Sequence, residues 1–319
     1  MEAIETLEII SPGIMTTVQD IGRYGYGRFG VAPSGALDTF ALRVANLLVG
    51  NREDQAGLET MLLGPGIRFL TDVAIAVTGG NLQPSRNKQP VEMWRSHVFQ
   101  KDDVLSFGNA VSGFRAYIAV AGGIGVPRIM GSRSTNLFSG FGGHQGRTLK
   151  KEDILICGKP RGPVSDTGHA FNPDWIPQYS DKWKLRVVLG PQDDHFPDDS
   201  LDTFFDGTYT MSQDSDRTGI RLEGPAVRCK PEVEASIVSE GVVAGAIQIP
   251  GDGKPIIILG ETVTGGYRKI ATVISADLPL LGQIKPGDGI QFEALSLDEA
   301  QLALQEMEGR IDNFKRKIN

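Results

Sequence analysis

Four stretches of the 319-residue sequence set charged, hydroxyl or amide side chains between glycines, where a free backbone can bring them against a small ligand. In the first, Thr17-Val-Gln-Asp-Ile-Gly-Arg23 runs into Pro33-Ser-Gly-Ala-Leu-Asp38. An arginine beside the start of a predicted helix suits an anion, because free N–H groups and the helix dipole favour negative charge there. The same arginine could equally brace a turn against Asp20 or Asp38, and the residues alone leave both readings open. In the second, Gly131-Ser-Arg-Ser-Thr135 is followed by Ser139-Gly-Phe-Gly-Gly143 and Gly146-Arg147. Hydroxyls around a guanidinium fit a carboxylate or phosphate. They also fit a loop whose polar groups satisfy one another. The third, Ser239 to Pro250, carries Gln248 in an apolar strand, so its amide needs a partner. In the fourth, Gly260 to Ile270, Tyr267 follows two glycines and either covers a bound group or packs at a barrel rim.

Other motifs match by letter only. Gly25-Tyr-Gly27-Arg-Phe-Gly30 has the glycines of a dinucleotide fingerprint, but Val31-Ala-Pro33 stands where a helix should follow. Gly142 to Thr148 lacks the lysine and spacing of a P-loop. His97, His144, His169 and His195 are scattered with no metal-ligand spacing, so no metal site is expected. A Gly-x-Ser-x-Gly elbow is absent.

The elements that must position these groups read as mainly β. Val73–Thr78, Arg115–Val120, Leu185–Leu189, Pro255–Leu259 and Gly289–Glu293 are predicted strands. Three segments repeat a lysine, a turn, an aspartate and an apolar strand: Lys101 to Val104, Lys151 to Ile154 and Lys285 to Ile290. Their presence in both halves points to two related barrels. The spacing predicts a helix over Ser34–Val49, with Ser34 as N-cap and Leu37, Phe40, Ala41, Val44 and Leu48 on one face. A capping box, Ser296-Leu-Asp-Glu299, opens a second helix with Ala300, Leu304, Met307 and Ile311 along one side. A short third helix is expected after Asp198-Asp199. Gly158–Lys182, rich in proline, glycine and aspartate, reads as the linker between domains at 1–160 and 184–319.

Composition bounds the function. Forty glycines fit many tight turns between short strands. A formal charge of −7 argues against a nucleic-acid or anionic-membrane partner, yet a local basic pocket for a small anionic substrate is compatible with it. Two cysteines, Cys157 and Cys229, build no disulfide framework, and Met1 to Thr6 lacks a basic, apolar leader. A cytoplasmic location is expected.

At the residues already quoted, joined by Ala45-Asn-Leu-Leu-Val-Gly-Asn51, Ala119-Val-Ala-Gly-Gly-Ile124, Gly190-Pro-Gln-Asp-Asp194, Asp216-Arg217 and Gly245-Ala-Ile-Gln248, the chain resembles the KipA family. This family is also called allophanate hydrolase subunit 2, or the C subunit of 5-oxoprolinase. The resemblance implies two cyclophilin-like β-barrel domains with a few short helices, and a complex with a KipI-type B subunit. In 5-oxoprolinase a LamB/YcsF-type A subunit joins them, and 5-oxo-L-proline becomes L-glutamate at the expense of Mg-bound ATP, shared with or held by a partner. The alternatives are a biotin-dependent urea or amide carboxylase, and a regulator that binds a KipI kinase inhibitor. Two places depart from the family: Glu261 and Val263 stand where an aspartate and a glutamine are common, and Ala32 where a second proline is frequent.

On this reading Arg23, Arg133 and Tyr267 are expected at the reacting centre, the two arginines on a carboxylate or phosphate oxygen. Ser34, Ser134 and Thr135 are expected to donate hydrogen bonds to the substrate, Asp38 to orient an arginine, and Gln248, Thr264 and Gly266 to line the second half of the cleft.

Overall fold

A computed structural model describes residues 4–163 and 167–318. Met1–Ala3 of the leader reading, residues 164–166 of the expected linker and Asn319 lie outside them. The chain divides into two compact units: one draws on residues 1–23, 34–179 and 310–319, the other on 24–33 and 180–309.

The first unit is two antiparallel sheets. Its strands are β1 (Ile4–Ser11), β2 (Met15–Gln19), β3 (Gly57–Met61), β4 (Gly66–Phe69), β5 (Val73–Asn81), β6 (Ser85–Arg86), β7 (Gln89–Pro90), β8 (Ser96–Phe99), β9 (Val104–Ser106), β10 (Ser112–Val120) and β11 (Ile154–Cys157). One sheet runs β11-β1-β4-β9-β6-β7 and the other β2-β3-β10-β5-β8. Helix α1 (Thr39–Leu48) buries Phe40, Ala41, Val44 and Leu48, as its period predicts. It begins later than expected. Ser34 and Gly35 have φ of 55° and 93°, which no helix accepts, and Asp38 is the N-cap, its Oδ1 accepting from Ala41 N at 2.8 Å.

The second unit is a closed ring. Strands β12 (Lys182–Leu189), β13 (Tyr209–Met211), β14 (Gly219–Glu223), β15 (Ser236–Gly241), β16 (Ala246–Ile249), β17 (Ile256–Ile258), β18 (Thr264–Val273) and β19 (Gly289–Ala294) run β12-β19-β13-β14-β17-β16-β18, and β18 pairs again with β12. The ring leaves β15 outside, hydrogen-bonded to β18. Phe204 of helix α2 (Asp198–Asp206) stacks on Phe292 of β19 at 4.5 Å in the core. A single turn, α3 (Leu278–Leu281), precedes β19. The mainly β expectation holds, closed barrel included, but one helix is not short: α4 (Leu297–Ile318) has 22 residues. Its capping box forms as expected, Ser296 N donating to Glu299 Oε2 at 2.8 Å and Glu299 N to Ser296 Oγ at 3.3 Å. No helix among the described residues is long and apolar enough to cross a membrane.

The repeated turn has one geometry three times over. The residue before each aspartate has positive φ: Asp102 at 70°, Glu152 at 73° and Gly287 at 93°. Each carboxylate then accepts the backbone N–H three residues back, at 2.7 Å for Asp103, 2.7 Å for Asp153 and 3.1 Å for Asp288. Positive φ at the third position is type II geometry, and it hands the chain directly to β9, β11 and β19.

The segment read as a linker contributes core. Phe171 is buried with its ring 5.8 Å from Phe40, 5.9 Å from Trp94 and 5.1 Å from Phe314 of α4. Isolated aromatics anchor this stretch, which is why it shows no hydrophobic period.

Candidate functional sites

In the first unit the Gly131–Thr135 loop closes on one carboxylate. Oδ1 of Asp20 accepts from Ser132 Oγ at 2.6 Å, Ser134 Oγ at 2.6 Å and Gly22 N at 2.9 Å, and Oδ2 accepts from Arg133 N at 2.6 Å. Thr135 Oγ1 donates to Val18 O at 2.9 Å. The hydroxyls of Ser134 and Thr135 therefore hold the loop to β2 and the turn after it. Arg23 does the same from below. It is 1% exposed, donates from Nη2 to Ser134 O at 2.6 Å and lies 4.6 Å from the centroid of Phe141. Gly142 is needed there: its φ is 73°, and a Cβ would stand 2.1 Å from Ser134 O.

What this scaffold presents outward is Arg133. Half-buried, it is fixed by Nε donating to Val126 O at 2.9 Å. Burial and the like charge of exposed Arg128 hold its pKa below the ordinary arginine value, against opposing pulls from Asp20 and Asp54. An oxyanion against these guanidinium groups relieves that repulsion, so the pair suits phosphate or carboxylate. Asp38 works at the helix start: besides capping α1, its Oδ2 accepts from Tyr179 OH at 3.0 Å. Its N–H donates to Tyr117 OH at 2.8 Å, and Tyr117 OH in turn donates to Glu59 Oε2 at 2.7 Å. Burial, first, and the neighbouring carboxylates push the Tyr117 hydroxyl well above its ordinary pKa, so it stays a donor. Ser34 buries a hydroxyl with no hydrogen-bond partner among the described residues.

The second unit gathers its polar groups on β18. Gln248 of β16 is 3% exposed and pairs across the ladder with Lys269. Its Nε2 has no partner among the described residues and lies over Gly265, where a Cβ would stand 2.0 Å away. Lys269, 6% exposed, donates from Nζ to Glu240 Oε1. Gln192 bridges the two: its Nε2 donates to the same Glu240 oxygen at 3.1 Å, and its Oε1 accepts from Lys269 N at 3.0 Å. The Lys269 hydrogen bond, above all, holds the Glu240 carboxyl below its ordinary pKa. Tyr267 is 37% exposed, Thr264 is exposed and Gly266 half-buried, all on this strand. Glu261, one of the departures, is buried in an ion pair with Arg217, Nε to Oε1 at 3.0 Å.

Of the expected site residues, Arg23, Asp38, Ser134 and Thr135 are tied into intrachain networks, while Arg133, Tyr267 and Thr264 reach the surface. Sequence reasoning missed Arg128, Gln192, Glu240 and Lys269. One signal was present: Lys269 directly precedes the apolar Ile270-Ala271, both buried in β18, an odd neighbourhood for an ammonium. Among the described residues no three His, Cys, Asp or Glu side chains converge as a metal site.

Residues 29–294 match the family model described as carboxyltransferase domain, subdomain A and B. The chain is 37% identical to the C subunit of 5-oxoprolinase from Escherichia coli K12, over 98% of this chain and 99% of that protein. It is also 37% identical to urea amidolyase of Lachancea kluyveri, over 97% of this chain but only 18% of the longer protein. The crystal structure of K. lactis urea amidolyase superposes with a TM-score of 0.91 at 33% identity, over 98% of this chain and 20% of that one.

Proposed function

Because the chain belongs to the family of carboxyltransferase domains with subdomains A and B, we propose that it is the C subunit of an ATP-dependent 5-oxoprolinase, helping to convert 5-oxo-L-proline to L-glutamate. The observation that carries this reading is the 37% identity to the Escherichia coli 5-oxoprolinase subunit, held over 98% of this chain. The chain then acts in the cytoplasm within a complex containing a KipI-type B and a LamB/YcsF-type A subunit.

An unstrained lactam resists water, and ATP supplies the phosphoryl group that turns its oxygen into a leaving group. This chain's share is positioning and charge. Arg133 and Arg128 are the residues that fit a phosphate oxygen, being cationic, close enough to feel each other's charge and within reach of solvent. Asp20, Arg23, Ser134 and Thr135 keep Arg133 on a rigid loop, so little ordering is left for the moment of binding. On the second unit, Tyr267 and Gln248 offer a hydroxyl and an amide for hydrogen bonding.

The test is glutamate release from 5-oxo-L-proline and ATP by the three assembled subunits, with and without this chain. Release that requires all three supports the reading, and none from a folded complex ends it. In an active complex Arg133→Ala is expected to lower kcat/KM roughly tenfold to a hundredfold, as loss of a charge-assisted contact does. Its melting temperature should stay near wild type, since the Asp20 contact uses the backbone of Arg133.

A second reading, a biotin-dependent carboxyltransferase module, is favoured by the superposition on urea amidolyase. It requires biotin on a carrier, and urea-dependent carboxylation with a biotin carboxylase partner would distinguish it.

A further inference from the structure

Lys269 and Gln192 converge on a single oxygen, Oε1 of Glu240. An ammonium and an amide N–H on one carboxylate is how proteins hold a carboxylate ligand. Here the carboxylate belongs to the chain itself, and the two sides of the contact differ. The donors are fixed: Lys269 is buried in a ring strand, and the Gln192 amide is pinned by accepting from Lys269 N. The acceptor is not. The Glu240 side chain is 46% exposed, on β15, the strand outside the ring. Glu240 neutralises the buried ammonium, but from a half-exposed position that solvent and an incoming carboxylate can also reach.

Gln248 adds an independent observation. Directly opposite residues on antiparallel strands stand about 5 Å apart, which puts Gln248 beside Lys269. Its Nε2 is buried with no acceptor among the described residues, in space kept open by Gly265. A donor in that condition costs about 1–3 kcal/mol, which a ligand oxygen recovers.

We propose that Lys269 and Gln192 are the receptor for the substrate's carboxylate, that Glu240 is an internal stand-in displaced when substrate enters, and that Gln248 Nε2 donates to the substrate's carbonyl oxygen. The ligand class is a small acid carrying both a carboxylate and a carbonyl, and naming it 5-oxo-L-proline rests on the oxoprolinase reading above. Glu240 then acts as a competitor, and weakening it raises the fraction of receptor that is open.

Calorimetric binding of 5-oxo-L-proline and of 2-pyrrolidinone, which lacks the carboxylate, to the assembled complex tests this beside the turnover assay. Wild type should bind the acid and not the bare lactam. Lys269→Met should weaken binding roughly tenfold or more. Glu240→Gln, which keeps an oxygen for Lys269 but removes the competing charge, should tighten it roughly three- to tenfold. A complex that releases glutamate while Lys269→Met leaves KM unchanged overturns the site and spares the oxoprolinase reading. Lys269-dependent binding without glutamate release does the reverse. No binding by wild type, equal binding of 2-pyrrolidinone, or weaker binding by Glu240→Gln each overturns the site.

Discussion

Asp153 takes a bidentate grip from Arg147, at 2.7 and 2.8 Å, together with the Lys150 N–H at 2.7 Å. The Arg147 hydrogen bond, chiefly, lowers its pKa from an ordinary 3.8 to about 2. A folded-state pKa below the unfolded value means the carboxylate's stabilisation is complete above pH 3.8 and drains away as pH falls towards 2. Asp153→Asn is therefore expected to cost about 1.5–3 kcal/mol near neutrality, the scale of a charged hydrogen bond, and to flatten the stability curve between those pH values. Chemical denaturation at several pH values checks both; a variant with the wild-type acid slope would contradict the assignment. Asp20 carries the same lesson inside the candidate site. Four donors meet on it, so the serines that resemble ligand-binding groups in sequence are occupied by the fold. Sequence shows that hydroxyls are present; only the tertiary contacts show whether they are free.

At the scale of elements, β18 is the strand that organises the second unit, pairing with β16, β12 and β15. Gly265 within it has no unusual φ requirement; what it provides is room for the Gln248 amide. Gly265→Ala should cost about 1–3 kcal/mol by overpacking. The same change in a Gln248→Ala background should cost clearly less, because the colliding atom is gone. Thermal unfolding of the four proteins of this cycle measures the coupling, and additive effects would show that the amide does not occupy that space. The strands, the capping box and the repeated turns were legible because each rests on neighbours in sequence. The start of α1 was not, since Ser34 and Asp38 are both good caps and only the positive φ at Ser34 decides between them.

For the molecule as a whole, the end of the C-terminal helix, from Arg310 on, is part of the first unit's core. Ile311 and Phe314 are its buried residues, while Leu297 and Leu302 near its start are 68% and 58% exposed. The predicted apolar side of the helix is thus buried only towards its end. Phe314→Ala is expected to destabilise by about 3–5 kcal/mol, as deletion of a packed ring does. Calorimetry should show a lowered transition and near-UV circular dichroism a loosened aromatic cluster around Phe171. An unchanged transition would mean the helix end is not docked.

The sequence by itself determined the mainly β fold, the turns that launch its strands and the family, because each of these is written in local chemistry or in patterns of spacing. The tertiary structure decided which polar groups are spent and which are available. It turned Ser134, Thr135 and Arg23 inward, left Arg133 facing out, and set Lys269, Gln192, Glu240 and Gln248 together from four places in the chain. The reason is physical: a hydrogen bond between residues 77 positions apart, such as that of Lys269 N to Gln192, leaves no mark on the residues between.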